Sequence, residues 1–109
     1  MSASDWTLTD QYIASQAFEL GKQRLITSLI NTLQRESSQL DTAESIWRLH
    51  DFLSSARYQY EGRSDFEFST ILFNLADMLK HNLISIEDLN GLEQSKLSKV
   101  IAMAMFRFA

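Results

Sequence analysis

Between Trp47 and Arg57 stand four side chains of the types that chemistry or tight recognition uses: Trp47, His50, Asp51 and Arg57. Written on a helix at roughly 100° per residue, Trp47, Asp51, Ser54 and Tyr58 fall on one side, with His50 and Arg57 on its border. An adjacent His-Asp pair can give two ligands to the divalent cation of a hydrolase, but such a site also needs an earlier histidine and a later aspartate. The other histidine is His81, expected at the C-terminal end of a helix, where a cation favours the helix dipole and a structural role suffices. The glycines are too scattered for a phosphate loop, and there is no cysteine to offer a thiolate. Ser54 lies one turn beyond His50, with no strand-turn-helix elbow to expose it as a nucleophile. Neither catalysis, a resident metal nor a cofactor is expected. Recognition is, because tryptophan and arginine are enriched at protein-protein hot spots.

Each candidate also has a plainer account. Tryptophan is mostly buried packing, and Asp51 can form a solvated helix bridge with Arg48 three residues earlier. Arg57, beside Tyr58 and Tyr60, can stack and hydrogen-bond at once or simply stand in water. Further along, Phe73 is either sandwiched between two neighbours or part of a contact surface, and Lys99 is by default a solvated lysine.

The elements that position these residues read as helices. With no proline and three glycines in 109 residues, the usual punctuation of β-turns is missing. Thr7, with Asp10 three residues on, caps a first helix expected over 8–34. Its wide stripe is Leu8, Tyr12, Phe18, Leu25, Ile26, Leu29, Ile30 and Leu33, and Ile13, Ala17 and Leu20 form a smaller far patch. Two apolar faces call for two neighbours, and in a short chain the second can be another subunit. Asp41 and Glu44 have capping-box spacing for a second helix running to Gly62, an expected left-handed C-cap. Its core stripe is Ile46, Leu49, Phe52, Leu53, Ala56 and Tyr60.

Ser64 and Glu67 cap a third helix expected to reach His81 or Asn82, facing inward with Phe68, Ile71, Leu72, Leu75, Ala76, Leu79 and Leu83. Phe66 and Phe73 lie off that stripe, on the side of Thr70 and Asp77. Ser85 and Asp88 predict a short capped turn broken at Asn90-Gly91. A last helix over 92–107 turns Leu97, Val100, Ile101, Ala104 and Phe108 inward and Lys96, Lys99 and Met103 outward. There is no internal repeat, low-complexity tract or dividing linker, so a single domain over 1–109 is expected.

Composition narrows the class. A hydrophobic fraction of 45%, mixed charge signs and mean hydropathy of −0.17 describe a globular chain. A net charge of −4 without a basic run suits nucleic-acid phosphates poorly. Absent cysteines fit a reducing compartment. The N-terminal MSASDWTLTD lacks the basic and apolar regions of a signal peptide, and no apolar run reaches the roughly 20 residues of a membrane span. The residues alone give an α-helical, dimeric adaptor whose helix-two face and Phe73 face engage a partner.

Taken as a string, WRLHDFLSSAR at Trp47 to Arg57 closely resembles the signature of the cyanobacterial fluorescence recovery protein family. The likeness continues through Glu61-Gly62-Arg63, the ILF at Ile71 to Phe73, NLISIEDLNGL and QSKLSK, spanning 41–100; before Asp41 it is one of length and helical pattern. The resemblance implies an all-α protein without a cofactor, whose long N-terminal helix and second helix form an elongated dimerisation arm. The C-terminal half forms a small helical head.

The implied partner is the orange carotenoid protein, a two-domain photoreceptor that, once photoactivated to its red form, binds the phycobilisome and dissipates excitation as heat. The family binds its C-terminal domain, speeds its return to the orange form and helps detach it, ending non-photochemical quenching. Trp47, His50, Asp51 and Arg57 then belong to the functional patch, with Phe73 and Lys99 on a second contact surface in the head. Leu29, Leu33, Ile46 and Trp47 are expected at the dimer interface, with Trp47 and Asp51 each serving the dimer contact, the partner contact or both. The expected location is cytoplasmic, near the cytoplasmic face of the thylakoid membrane. Two rivals remain: a helical dimeric module that binds an antenna-associated partner without accelerating it, and an HD-type phosphohydrolase fragment lacking its other ligands.

Overall fold

The computed structural model describes residues 5–62 and 65–106. In order they form α1 (Leu8–Ser37), α2 (Ala43–Gly62), α3 (Ile71–Lys80), a 3-10 turn (Ile86–Leu89) and α4 (Gln94–Met105), with no strand among the described residues. The chain is all-α, and it divides into two compact units. One comprises Met1–Arg24 and Asp65–Ala109; the other is Leu25–Ser64.

The first unit is built on small residues that let α1 approach closely. Ala14, Ala17, Phe18 and Gly21 are buried on its inner face, while Leu8 and Tyr12 of the expected wide stripe are exposed. Phe18 of that stripe is fully buried, and Ala14, Ala17 and Gly21 beside it allow a close approach: a Cβ at Gly21 would stand 2.5 Å from Met78 Sδ and 3.2 Å from Ile84 Cγ2. α3 packs on α4, and Ile71, Leu75, Leu89 and Val100 are fully buried with Phe18.

α3 begins later than expected, at Ile71, because 65–70 form a turn that takes Phe66 and Phe68 out of helical register. Phe66 thus packs inward, not on an outer face: rings run Trp6 to Phe68 (5.5 Å), Phe68 to Phe66 (5.4 Å) and Phe66 to Phe18 (6.0 Å). Tilted and edge-on pairs of this kind add to plain area burial. The expected Ser64 cap lies outside the described residues, as does Phe108.

Capping is seen at three expected places, with one shift. The Asp10 N–H donates to Thr7 Oγ1 at 3.0 Å, starting α1. α2 is capped by Thr42 with Ser45, not by Asp41 with Glu44: the Ser45 N–H donates to Thr42 Oγ1 (3.1 Å), and Ser45 Oγ accepts from the Thr42 N–H (3.1 Å). The hydroxyl pair is one residue closer to the helix and takes the role on position. Gly62 is simply the last helical residue; the left-handed glycine among the described residues is Gly91, at φ 92° in the break before α4.

The third cap carries a pH consequence. Asp88 Oδ2 accepts from the Ser85 N–H (2.8 Å), Ser85 Oγ (3.1 Å) and Arg24 Nη1 (3.0 Å), and Arg24 also donates to the Leu83 carbonyl at 2.9 Å. The Ser85 amide above all, then Arg24 and Ser85 Oγ, holds the Asp88 carboxyl below its ordinary value against the opposing effect of burial. A depressed carboxylate stabilises the fold above its ordinary pKa and ceases to do so as pH falls through the folded-state value. Asp88→Asn should cost about 1 kcal/mol at neutral pH. It should also flatten the acid limb of stability, as read by thermal unfolding from pH 7 downward. An unchanged acid limb would show that other carboxylates govern it.

Candidate functional site

α2 lies wholly in the second unit and buries none of its residues. Its expected core stripe is therefore not a core within this chain: Leu49, Ala56 and Tyr60 are half-buried, and Ile46, Phe52 and Leu53 are exposed. The opposite face is barer still, with Trp47 63% and Tyr58 83% exposed. Two grooves of about 500 Å3 and about 210 Å3 lie in this unit, the first beside Leu40, Arg48 and Leu49 and the second beside Leu29, Ala56 and Tyr60; Phe52 lines both. Leu29 and Leu33 are half-buried on α1.

The charged residues of α2 form local ladders. Arg48 pairs with Glu44 at 3.0 Å one turn back, not with Asp51. Asp51 Oδ1 stands 3.3 Å from His50 Nδ1. Arg57 Nε donates to Glu61 Oε1 at 2.8 Å, and that hydrogen bond with the Glu61 charge pushes the guanidinium pKa up. Arg57 is thus a permanent cation presented in one orientation by its neighbour, with most of its fork facing outward. Glu61 is the i+4 partner that makes this presentation cheap in side-chain entropy.

Phe73 and Lys99 belong to the first unit. Phe73, 46% exposed on α3, lines a shallow dimple with Ala76, Asp77, Lys80 and Met103. Met103, expected to face outward, is half-buried there. Lys99 is exposed on α4, one turn before Met103. His81 has the helix-end role expected of it: its backbone N–H and Nδ1 both meet the Asp77 carbonyl at the end of α3, at 3.1 and 2.8 Å. The six expected contact residues therefore fall into two sets, four on α2 and two on the α3/α4 face. Among the described residues no group of three or more His, Cys, Asp or Glu side chains gathers as a metal would need, and no helix is long and apolar enough to cross a membrane.

One cluster escaped the sequence entirely. Lys96, expected to face outward, is 2% exposed, and Asp10 is buried with it. Lys96 Nζ donates to Glu93 Oε2 (2.7 Å) and to the Asp5 carbonyl (2.8 Å), and it stands 3.4 Å from Asp10 Oδ2. The helical pattern puts Lys96 at the border of the α4 stripe, and Asp5 and Asp10 lie too far back in the chain for any local motif to reveal them.

The family model of the photoprotection regulator fluorescence recovery protein matches residues 6–104. The chain is similar to the fluorescence recovery protein of Synechocystis sp., at 35% identity over 91% of both chains. It is also similar to the solved structure of the Fremyella diplosiphon fluorescence recovery protein, at 33% identity and TM-score 0.86, over 93% of this chain and 99% of that one. The solved Synechocystis sp. PCC 6803 structure matches at 35% identity and TM-score 0.85, with the same coverage.

Proposed function

The chain belongs to the fluorescence recovery protein family of photoprotection regulators, and on that premise we propose that it acts, without covalent chemistry, on the photoactivated orange carotenoid protein. It binds the red form through the photoreceptor's C-terminal domain, speeds reversion to the orange form and promotes release from the phycobilisome. It works as a homodimer at the cytoplasmic face of the thylakoid membrane.

The observation that carries this reading is α2: a helix of 20 residues that buries none of them, yet displays Ile46, Trp47, Phe52, Leu53 and Tyr58. Apolar area of that extent is stable in water only when something covers it. A second copy covering one face and a partner taking the other would account for both. Leu29, Leu33, Ile46 and Trp47 are the residues proposed for the dimer contact. Trp47, His50, Asp51 and Arg57 are proposed for the functional patch, and Phe73 and Lys99 for the second partner contact.

The physics of acceleration follows from differential binding. The red and orange states differ in whether two domains are docked, so a catalyst of the return must hold the path between them more tightly than the separated red state. A rigid helical surface with aromatic and arginine anchors can do so with little ordering entropy of its own.

The test is the dark decay of red absorbance of photoactivated orange carotenoid protein, with and without substoichiometric amounts of this protein. Acceleration with turnover is expected. An unchanged decay alongside measurable binding would leave an antenna-associated interaction module and overturn the recovery role.

A further inference from the structure

The buried cation of the first unit has no part in the surfaces proposed above. Lys96 Nζ, in the first turn of α4, reaches back to the Asp5 carbonyl and to Asp10, and lies 5.1 Å over the centre of the Trp6 ring. The reach is returned: Asp10 Oδ1, in the first turn of α1, accepts at 3.0 Å from the backbone N–H of Glu93, the N-cap residue of α4. Residues 5–10 and the start of α4 therefore clasp each other through one ammonium, one carboxylate and two backbone groups.

Two features make the clasp all-or-none. Asp10 and Lys96 are both buried, so separating them strands a charge away from water, and intermediate openings are the costly ones. The closed form is also not fully satisfied: Trp6 is 5% exposed and its indole N–H finds no acceptor among the described residues. Opening would hydrate that donor while losing the burial of its ring. When the clasp opens, the Glu93 amide at the start of α4 loses its acceptor. α4 carries Lys99 one turn further on, then Met103 in the dimple beside Phe73.

We infer that residues 5–10 are a strap latched by Lys96, and that its closure fixes the first turn of α4 and so positions the face bearing Phe73 and Lys99. The strap stands on the geometry alone; its effect on partner binding rests on the function proposed above. Lys96 is a positioning residue, since it touches no surface that a partner would meet.

The test is hydrogen-deuterium exchange of the full chain, with red-absorbance decay run alongside on Lys96→Met and on the double variant Asp10→Asn/Lys96→Met. The double variant leaves neither charge buried and keeps an amide oxygen for the Glu93 N–H. Removing one partner of a buried ion pair should raise exchange in peptides covering 5–14 and 93–97 on the order of 100-fold in Lys96→Met. Peptides within α3 should stay at wild-type rates, and the double variant should recover most of the protection. Recovery activity should fall and return in step.

If Lys96→Met exchanges like the wild type, or loses protection equally in α3, there is no separate strap. If the strap opens while an active wild-type rate is retained, its control of the face is wrong. A wild type that leaves the photoreceptor unaffected would sink the proposed function, and the exchange result would still decide the latch. Should Lys96→Met fail to fold, Asp10→Asn alone decides it: selective loss of protection over 5–14 and 93–97 supports the latch, and wild-type protection or equal loss everywhere refutes it.

Discussion

Arg57→Leu should reduce the acceleration of red-form decay roughly 30-fold at fixed concentration, the scale on which arginine hot spots act. It should do so without altering helix content. The guanidinium stands outside its own fold, and its hydrogen-bond partner is Glu61 on the same helix. An exposed pair of this kind contributes little to stability. Only its Nε is engaged by that neighbour in the hydrogen bond to Glu61, and the permanently charged guanidinium can meet a carboxylate or carbonyl across an interface, where a forked donor can make two bonds at once. The leucine retains apolar bulk on α2 and removes only the charge-assisted contact. The decay of red absorbance, with circular dichroism and mass as controls, checks this; a full rate with fold and dimer intact would show that Arg57 makes no such contact. Phe73→Asp asks the same of α3. An aromatic ring 46% exposed beside Met103 should seat in an apolar recess of the partner, and a carboxylate there should cost on the order of tenfold or more in acceleration.

Ile46→Glu should turn the proposed dimer into a monomer while leaving each chain folded. Ile46 is 48% exposed in the single chain, so a carboxylate there can remain hydrated and costs the monomer little. Against a second copy it would be desolvated beside Trp47, Leu29 and Leu33. An unpaired charge buried in an apolar interface costs several kcal/mol, enough to raise a dissociation constant more than about 100-fold. Light scattering behind size exclusion at micromolar concentration would register the change. A mass that stays dimeric would move the dimer contact off this part of α2.

The legible part of the fold was the part that local rules govern. Helix type, the Thr7 and Ser85 caps, and the break at Asn90-Gly91 depend on residues within a few positions of one another, and these are where the structure has them. The start of α3 was misplaced because Phe66 and Phe68 are drawn into the core by Phe18 and Trp6, which lie far off in sequence. Periodicity also misjudged α1, since it weighs side-chain hydrophobicity and is blind to how closely a backbone can approach when Ala14, Ala17 and Gly21 face inward. The bareness of α2, on which the proposed site rests, was readable because an apolar stripe and a tryptophan on opposite faces of one helix leave too much to bury. Lys96 was not readable, because a lysine in a first turn looks solvated until the carbonyl of Asp5 and the carboxylate of Asp10 are found beside it.

The two tryptophans of the chain stand in opposite optical surroundings. Trp6 is enclosed with Phe68 on one side and the Lys96 ammonium on the other, while Trp47 is largely in contact with solvent on α2. Indole emission from the first should therefore be blue and shielded from iodide, and from the second, in a single chain, red and quenchable until a second copy or a partner covers it. Each compact unit carries its own lamp, so one fluorescence titration with a partner distinguishes contact at the α2 patch from a disturbance around the strap.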